Sequence, residues 1–343
     1  MKFNIKLLPL LCLLSLPSIA DDANDYFEKA LSSNRLGNVD EAYIYLKNAL
    51  QQEPEHLPAR ILMGELYFKK GDMFSTEEVL SDALNNGADI NLLIYYLGYS
   101  LLAQSKIEQL LLLEKHERSL TFDNKFEWTL LKAQAYEKLD NILYAQGFYD
   151  EAIRLKPTAF KAYNAYASLL IKESELEKAK SLIDQSFKLE SNNAKTLSLL
   201  AEWHLKQSQI EPAIEALNKA FVFSPDDPKI MRLLAFTYMR VGNFEQAKTY
   251  LNIISDKYPQ DASATLMQAW LLANKDQSSL AQESLDNLDM RLTLFTDDQL
   301  IENQTINYLK GSSEFIKGNY ESAHQSLLSF LAETQVTTAV FKC

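Results

Sequence analysis

The stretch that decides the fold is "GNFEQAKTYLNIISDKYP", residues 242–259, because the chain repeats its pattern elsewhere. Residues 37–54 read "GNVDEAYIYLKNALQQEP", and residues 318–334 read "GNYESAHQSLLSFLAET". Each copy begins with Gly, has Ala five residues later and has Leu four residues after that. A phrase that recurs at a fixed period indicates stacked repeats, in which each unit buries its apolar face against its neighbours.

The period of this phrase is 34 residues, with a one-residue slip after Leu110 and an eight-residue insertion before the last copy. The nine lattice positions are Ala42, Thr76, Leu110, Ala145, Ala179, Ala213, Ala247, Ala281 and Ala323. Gly or Ala stands twelve residues before each of them, Gly often stands five before, and Pro often stands twelve after. Small residues let two helix axes approach closely, while Gly and Pro end the first and second helix of a pair.

This pattern resembles the tetratricopeptide repeat, a 34-residue helix-turn-helix unit. The resemblance implies an all-α fold, an α-solenoid of about nine such units forming a superhelix over residues 21–335. The composition agrees, since 47% of the residues are hydrophobic and only nine are Gly and nine Pro. Leu110 replaces the usual small residue, so we do not expect tight packing in the third copy. We expect Trp128, Trp203 and Trp270 to lie in the core.

The first twenty residues have the pattern of a secretory signal peptide. Lys2 and Lys6 precede a short apolar stretch, and Ser18-Ile19-Ala20 forms a small-residue exit. The pattern predicts cleavage after Ala20 and a periplasmic or secreted protein. The apolar stretch has roughly half the ~20 residues of a membrane span, so no transmembrane helix is expected.

The two cysteines add little chemistry. Leu11 stands before Cys12, where lipoprotein signals have a small residue, so a lipid anchor is not expected. Cleavage leaves Cys343 as the only cysteine and excludes an internal disulfide. Residues 336–343 read as the start of a truncated further repeat, or as a tail, because repeat arrays normally end in a polar capping helix.

The sequence shows no catalytic or metal-binding pattern. The four histidines are scattered, and there is no HExxH, GxSxG, phosphate-binding glycine loop or CxxC. We therefore predict no enzyme, no cofactor and no metal site. The 46 acidic residues outnumber the 34 basic ones, which makes nucleic acid an improbable partner.

Tetratricopeptide arrays bind along a concave groove, and the resemblance implies which positions line it: residues 2, 5, 9, 12 and 13 of each first helix. In copies five to seven these positions hold seven basic residues and one acidic residue. The candidate groove residues are Lys161, Asn164, Lys172, Lys195, Lys206, Lys229, Arg232, Phe236 and Arg240. They predict a protein or peptide partner, with an acidic segment or an anionic polysaccharide as the ligand. A row of solvated surface lysines without a ligand is the alternative.

Residues 59–111, with "ALNNGAD" at 83–89 and "LLAQSK" at 101–106, are similar to the N-terminal repeats of tetratricopeptide proteins from bacterial PEP-CTERM/exosortase systems. That resemblance implies an exported scaffold in exopolysaccharide production or surface-protein sorting. An alternative function is the substrate-selecting arm of a larger envelope enzyme whose catalytic domain lies outside this chain. A passive spacer is a third reading, and the oligomeric state stays open.

Overall fold

The computed structural model describes residues 22–259, 261–273, 278–292 and 304–334. Within these ranges the secondary structure is helical, without a strand, and the prediction of an all-α helix-repeat fold is confirmed. The predicted signal peptide, most of the insertion and the segment 336–343 lie outside the described residues.

The chain divides into two compact units, Met1–Pro157 and Thr158–Cys343. The helices of the first unit are α1 Ala23–Arg35, α2 Val39–Gln52, α3 Leu57–Lys70, α4 Met73–Asn85, α5 Ile90–Ala103, α6 Ile107–Leu111, a 3-10 helix Leu112–Ser119, α7 Phe122–Lys138 and α8 Ile142–Leu155. The helices of the second unit are α9 Phe160–Lys172, α10 Leu176–Leu189, α11 Ala194–Lys206, α12 Ile210–Phe223, α13 Pro228–Arg240, α14 Phe244–Lys257, α15 Ala262–Ala273, α16 Ser278–Leu292, α17 Gln304–Ile316 and α18 Tyr320–Thr334. Each odd-numbered helix from α1 to α5 and from α7 to α17 is the first helix of a pair.

In the turn between the two helices of a pair, one residue adopts a left-handed backbone conformation. Backbone N–H groups of the turn can then donate hydrogen bonds to the last carbonyls of the first helix. At Gly242 φ is 74°, and the N–H of Asn243 donates to the carbonyl of Tyr238 at 2.9 Å. The same column holds non-glycine residues with φ between 56° and 63°, namely Ser105, Asp140, Ser174 and Ser208. The turn geometry is therefore common to pairs with and without the glycine that the sequence pattern marked.

The small-residue columns lie where the two helices of a pair touch. A Cβ on Gly64 would stand 2.3 Å from Leu80 Cδ2, and one on Gly311 would stand 2.6 Å from Leu327 Cγ. The lattice residue Ala42 is completely buried. Small residues are therefore required in these columns so that the helices can pack closely, as the sequence indicated.

The third pair packs differently from the others. Its second helix lasts only from Ile107 to Leu111 before the chain tightens into the 3-10 helix Leu112–Ser119. Leu110 is nonetheless completely buried, and a Cβ on Gly98 would stand 2.4 Å from Leu131 Cδ1 in α7. Packing there is tight, contrary to the expectation, because α5 lies closely against the next first helix.

The expectation that all three tryptophans lie in the core is wrong for one of them. Trp128 is completely buried, and Trp203 is half-buried with its Nε1–H donating to the carbonyl of Leu176 at 2.8 Å. Trp270 exposes 38% of its surface. It is the ninth residue of α15, one of the positions that the resemblance assigns to the concave groove.

Candidate partner-binding face

Three lysines stand at the same place in three successive first helices of the second unit. Lys161, Lys195 and Lys229 are the second residues of α9, α11 and α13, and we call them the lysine row. The Asp227 carboxylate caps α13 by accepting the N–H of Lys229 at 2.8 Å. Cations are unfavourable at a helix N-terminus, where the helix dipole is positive. Helix stability therefore does not explain these lysines.

The lysine row is electrostatically coupled. Lys195 is exposed at the surface, yet partial desolvation of its ammonium group lowers its pKa, and repulsion from Lys229 and then Lys161 lowers it further. Asp227 acts in the opposite direction. This direction is the one expected for like charges on neighbouring first helices. The row thus concentrates positive charge beside backbone N–H groups that also attract anions.

Part of the predicted positive charge is already paired. Lys229 Nζ lies 2.9 Å from Glu202 Oε1, and Arg232 forms an ion pair with Asp261. Asp261 also accepts the N–H of Ala264 at the start of α15, so Arg232 links α13 to the next helix pair. The sequence pattern missed Asp261 because it precedes its helix. The excess of cations is therefore smaller than predicted.

The prediction that Asn164 lines a groove is wrong. Its side chain is completely buried, where its Nδ2 donates to Thr196 Oγ1 at 2.9 Å. Ser186 Oγ lies 3.0 Å from the same Thr196 oxygen, so the cluster joins α9, α10 and α11. A buried amide has to be hydrogen-bonded, and this cluster satisfies it. Asn164 therefore holds the helices that carry the lysine row and is not exposed to a partner.

The remaining predicted cations lie at the other end of the helices. Lys172, Lys206 and Arg240 are exposed and are the last residues of α9, α11 and α13. Eleven residues of helix place them about 16 Å from the lysine row. The negative end of the helix dipole stabilises cations there. Their presence thus has a structural explanation that the lysine row lacks.

Two aromatic side chains are exposed on adjacent first helices. Phe236 exposes 43% of its surface and Trp270 exposes 38%. Both are the ninth residue of their helix, and α13 and α15 are in contact. The repeat position predicted Phe236 to be a groove residue, whereas Trp270 was predicted to lie in the core. The 34-residue spacing between them was the signal that could have identified Trp270.

The tetratricopeptide repeat model matches residues 34–93 and 204–271. These two stretches are thus similar to tetratricopeptide repeats. No curated protein sequence matches it. Among solved structures, the human IFIT1 dimer with m7Gppp-AAAA is similar with a TM-score of 0.57 and 12% identity over 90% of this chain and 81% of that one.

Two bacterial structures are also similar, with lower scores. The pilF protein of Pseudomonas aeruginosa gives a TM-score of 0.47 at 18% identity, covering 62% of this chain and 96% of that one. A tetratricopeptide repeat protein from Parabacteroides merdae gives 0.44 at 12% identity, covering 88% of this chain and 98% of that one. At these identities the likeness to IFIT1 shows the fold alone.

None of the described helices combines the length and the apolar character that a membrane crossing requires. Among the described side chains, no group of three or more His, Cys, Asp or Glu could hold a metal ion. The described residues form an all-α helical repeat scaffold with a charged face, and scaffolds of the tetratricopeptide fold commonly bind proteins.

Proposed function

We propose that the chain is a non-catalytic scaffold that binds an extended acidic segment of a partner protein along α9, α11 and α13. The alignment of Lys161, Lys195 and Lys229 at the same position of three successive first helices carries this proposal, and the repulsion by which Lys229 and Lys161 lower the pKa of Lys195 supports it. Carboxylates placed among three repelling ammonium groups relieve that repulsion and gain charge-assisted hydrogen bonds. Phe236 on α13 and Trp270 on α15 offer apolar surface for side chains of the same segment.

The spacing of the row indicates how the acidic residues are arranged. Packed helices stand about 8–10 Å apart, and α9 and α11 are in contact. An extended chain advances about 3.3 Å per residue, so every third side chain matches that separation. We therefore expect the row to bind Glu or Asp at positions i, i+3 and i+6.

The test measures the affinity of the full chain for two fluorescently labelled peptides of equal charge. One peptide carries Glu at every third position, and the other carries its Glu residues consecutively. Lys195→Glu and Lys229→Glu should each weaken binding of the first peptide by about tenfold at low salt. Lys188→Glu is the matched control, because Lys188 is exposed on the second helix α10. Its effect should be small, although the change in net charge is the same.

Several results would contradict this proposal. Equal losses of affinity in Lys195→Glu and Lys188→Glu would show that the peptide responds only to the net charge of the chain. Tighter binding of the consecutive-Glu peptide would refute the spacing. A higher affinity for polygalacturonate than for either peptide would show that the row binds an anionic polysaccharide instead of a protein segment.

We also propose that this scaffold works outside the cytoplasm, in a PEP-CTERM-type system of exopolysaccharide production or surface-protein sorting. The pattern of residues 1–20 and the similarity of residues 59–111 support this proposal. Fusing residues 1–25 to alkaline phosphatase, which is active only after export, tests the location. A fusion without activity, beside an active control carrying a known signal peptide, would contradict it.

A further inference from the structure

An exposed apolar patch with a gap in its middle lies on α8, the second helix of the fourth pair. Leu143 exposes 79% of its surface and Tyr144 exposes 56%, although both side chains are bulky and largely apolar. One turn further along the helix, Gly147 contributes no side chain. Together with Phe148 and Glu151, these residues line an open depression of about 360 Å³. We call these five residues the glycine notch.

The aromatic side of the glycine notch is held in place by α7. The Tyr136 ring stacks on Tyr144 at a centroid distance of 5.3 Å and on Phe148 at 5.4 Å. Lys132 Nζ lies 4.5 Å from the centroid of Phe148. Side chains that are already fixed lose little conformational freedom when a partner covers them. The notch is therefore preorganised for binding.

Packing within the chain does not explain the glycine. Gly147 lies in the interior of α8, where glycine destabilises a helix relative to alanine. Its φ is not positive, so the backbone conformation does not require glycine. A Cβ on Gly147 would meet nothing within 4 Å, whereas one on Gly64 or Gly98 would clash with a leucine. A glycine that costs stability and makes room for nothing inside the chain indicates a close approach from outside it.

The residues around Gly147 are complementary to a second copy of the same helix. In two antiparallel helices that cross at Gly147, residue 147−n of one copy faces residue 147+n of the other. Tyr144 then lies opposite Asp150, so that a hydroxyl can donate to a carboxylate. Leu143 lies opposite Glu151, beside the depression. A cavity of about 150 Å³ holds a benzene ring, so the depression has room for an apolar side chain of the second copy.

The charges at the two ends of α8 fit the same arrangement. Asp140 lies in the turn before the helix and Arg154 in its last turn, at equal distances in sequence from Gly147. Both are exposed, and neither has an ion-pair partner among the residues that the structure describes. An antiparallel pair places each Asp140 opposite the Arg154 of the other copy. A parallel pair would place like charges together, so the charges favour the antiparallel arrangement.

We propose that the glycine notch binds a second copy of this chain, α8 against α8, in an antiparallel dimer with twofold symmetry. The symmetry follows because both copies use the same surface. One helix packed on one helix buries less than the roughly 1,600 Å² of a standard interface. The dimer is therefore weak, with a Kd on the order of tens of micromolar, and dissociates on dilution.

Sedimentation equilibrium of the full chain from about 5 to about 500 µM, on either side of the expected Kd, measures the association. The wild type should pass from monomer to dimer over this range. Gly147→Leu should weaken association at least tenfold, because its side chain fills the space that the second copy needs. Leucine is a good helix former, so this variant should remain folded.

A matched pair of variants separates the notch from general stickiness of exposed apolar residues. Leu143→Ser should weaken association about tenfold, because it removes an apolar side chain from the contact. Val222→Ser should leave association unchanged, although Val222 on α12 is almost as exposed as Leu143. Circular dichroism confirms that each variant keeps its helix content.

Reversing the charges tests the antiparallel pairing. In Arg154→Asp two acidic side chains face each other at both ends of the contact, and in Asp140→Arg two basic ones do. Each variant alone should associate at least tenfold more weakly than the wild type. An equimolar mixture of the two should form a heterodimer within about threefold of the wild-type affinity, because opposite charges face each other again.

Three results would overturn the inference. A wild-type chain that stays monomeric at the highest concentration would show that the notch binds no second copy. A dimer that persists in Gly147→Leu, or that Leu143→Ser and Val222→Ser weaken equally, would place the contact elsewhere. A mixture of the two charge-reversal variants that associates no better than either alone would exclude the antiparallel pairing.

Discussion

Two glycines inside helices should respond to the same substitution with opposite signs. Gly64 lies in α3 and Gly147 in α8. A Cβ on Gly64 would stand 2.3 Å from Leu80 Cδ2 and 2.5 Å from Leu80 Cγ, whereas one on Gly147 meets nothing within 4 Å. Replacing each glycine by alanine therefore adds the same methyl group, once into a closed contact and once into open space.

The magnitudes follow from two competing effects. Alanine stabilises a helix interior by about 1 kcal/mol relative to glycine. Overpacking a core costs about 1–3 kcal/mol. The higher part of that range applies at Gly64, because Leu80 is completely buried and its branching carbon is too close for a rotation of its methyl groups to relieve the clash. We expect Gly64→Ala to lower the free energy of unfolding by about 1–2 kcal/mol and Gly147→Ala to raise it by about 1 kcal/mol.

Guanidinium chloride unfolding followed by far-UV circular dichroism measures both changes, and amide hydrogen exchange in α3 and α4 shows where the loss occurs. Adding Gly64→Ala to a Leu80→Ala chain should be neutral or stabilising, because the clashing side chain is gone. A Gly64→Ala chain as stable as the wild type would refute the reasoning, since it would mean that the helix pair can spread at no cost.

Three further predictions concern the turns, the lysine row and the 3-10 helix. Ser208→Gly should raise the free energy of unfolding by about 0.5–1 kcal/mol, measured by the same denaturation, because φ is 60° there and only glycine adopts it without a steric cost. Lys229→Gln should raise the pKa of Lys195, which NMR of dimethylated lysines measures. Because the pKa of Lys195 is lowered in the folded state, its positive charge reduces the free energy of unfolding at neutral pH. This loss of stability should fall as the pH rises from the lowered pKa towards the pKa of an ordinary lysine. Glu117→Ala should lower the free energy of unfolding by about 2–4 kcal/mol and with it the melting temperature. The reason is that Lys132, whose side chain is 6% exposed, loses the carboxylate 3.1 Å from its ammonium group. An unchanged melting temperature would contradict a stabilising role of this ion pair.

The candidate sites could be predicted only in part. The column spacing placed Lys161, Lys195 and Lys229 at the start of successive first helices, but it gave no sign that they interact. It placed Asn164 on the same face, and the structure buries it. The position of a residue within a helix fixes the direction of its side chain. Whether that side chain is buried depends on which neighbouring helix lies in that direction and how close that helix is.

The sequence by itself determined the repeated helix pair, because the 34-residue spacing of small residues, glycines and prolines acts through local backbone geometry and through contacts that recur in each unit. Only the tertiary structure decided that Gly64 cannot carry a methyl group, that Trp270 is exposed, and that Arg232 is paired with Asp261. Each of these depends on how closely two helices approach each other, as shown by a Cβ that would clash at Gly64 but meets nothing within 4 Å at Gly147. A column of small residues permits close packing but does not encode that distance.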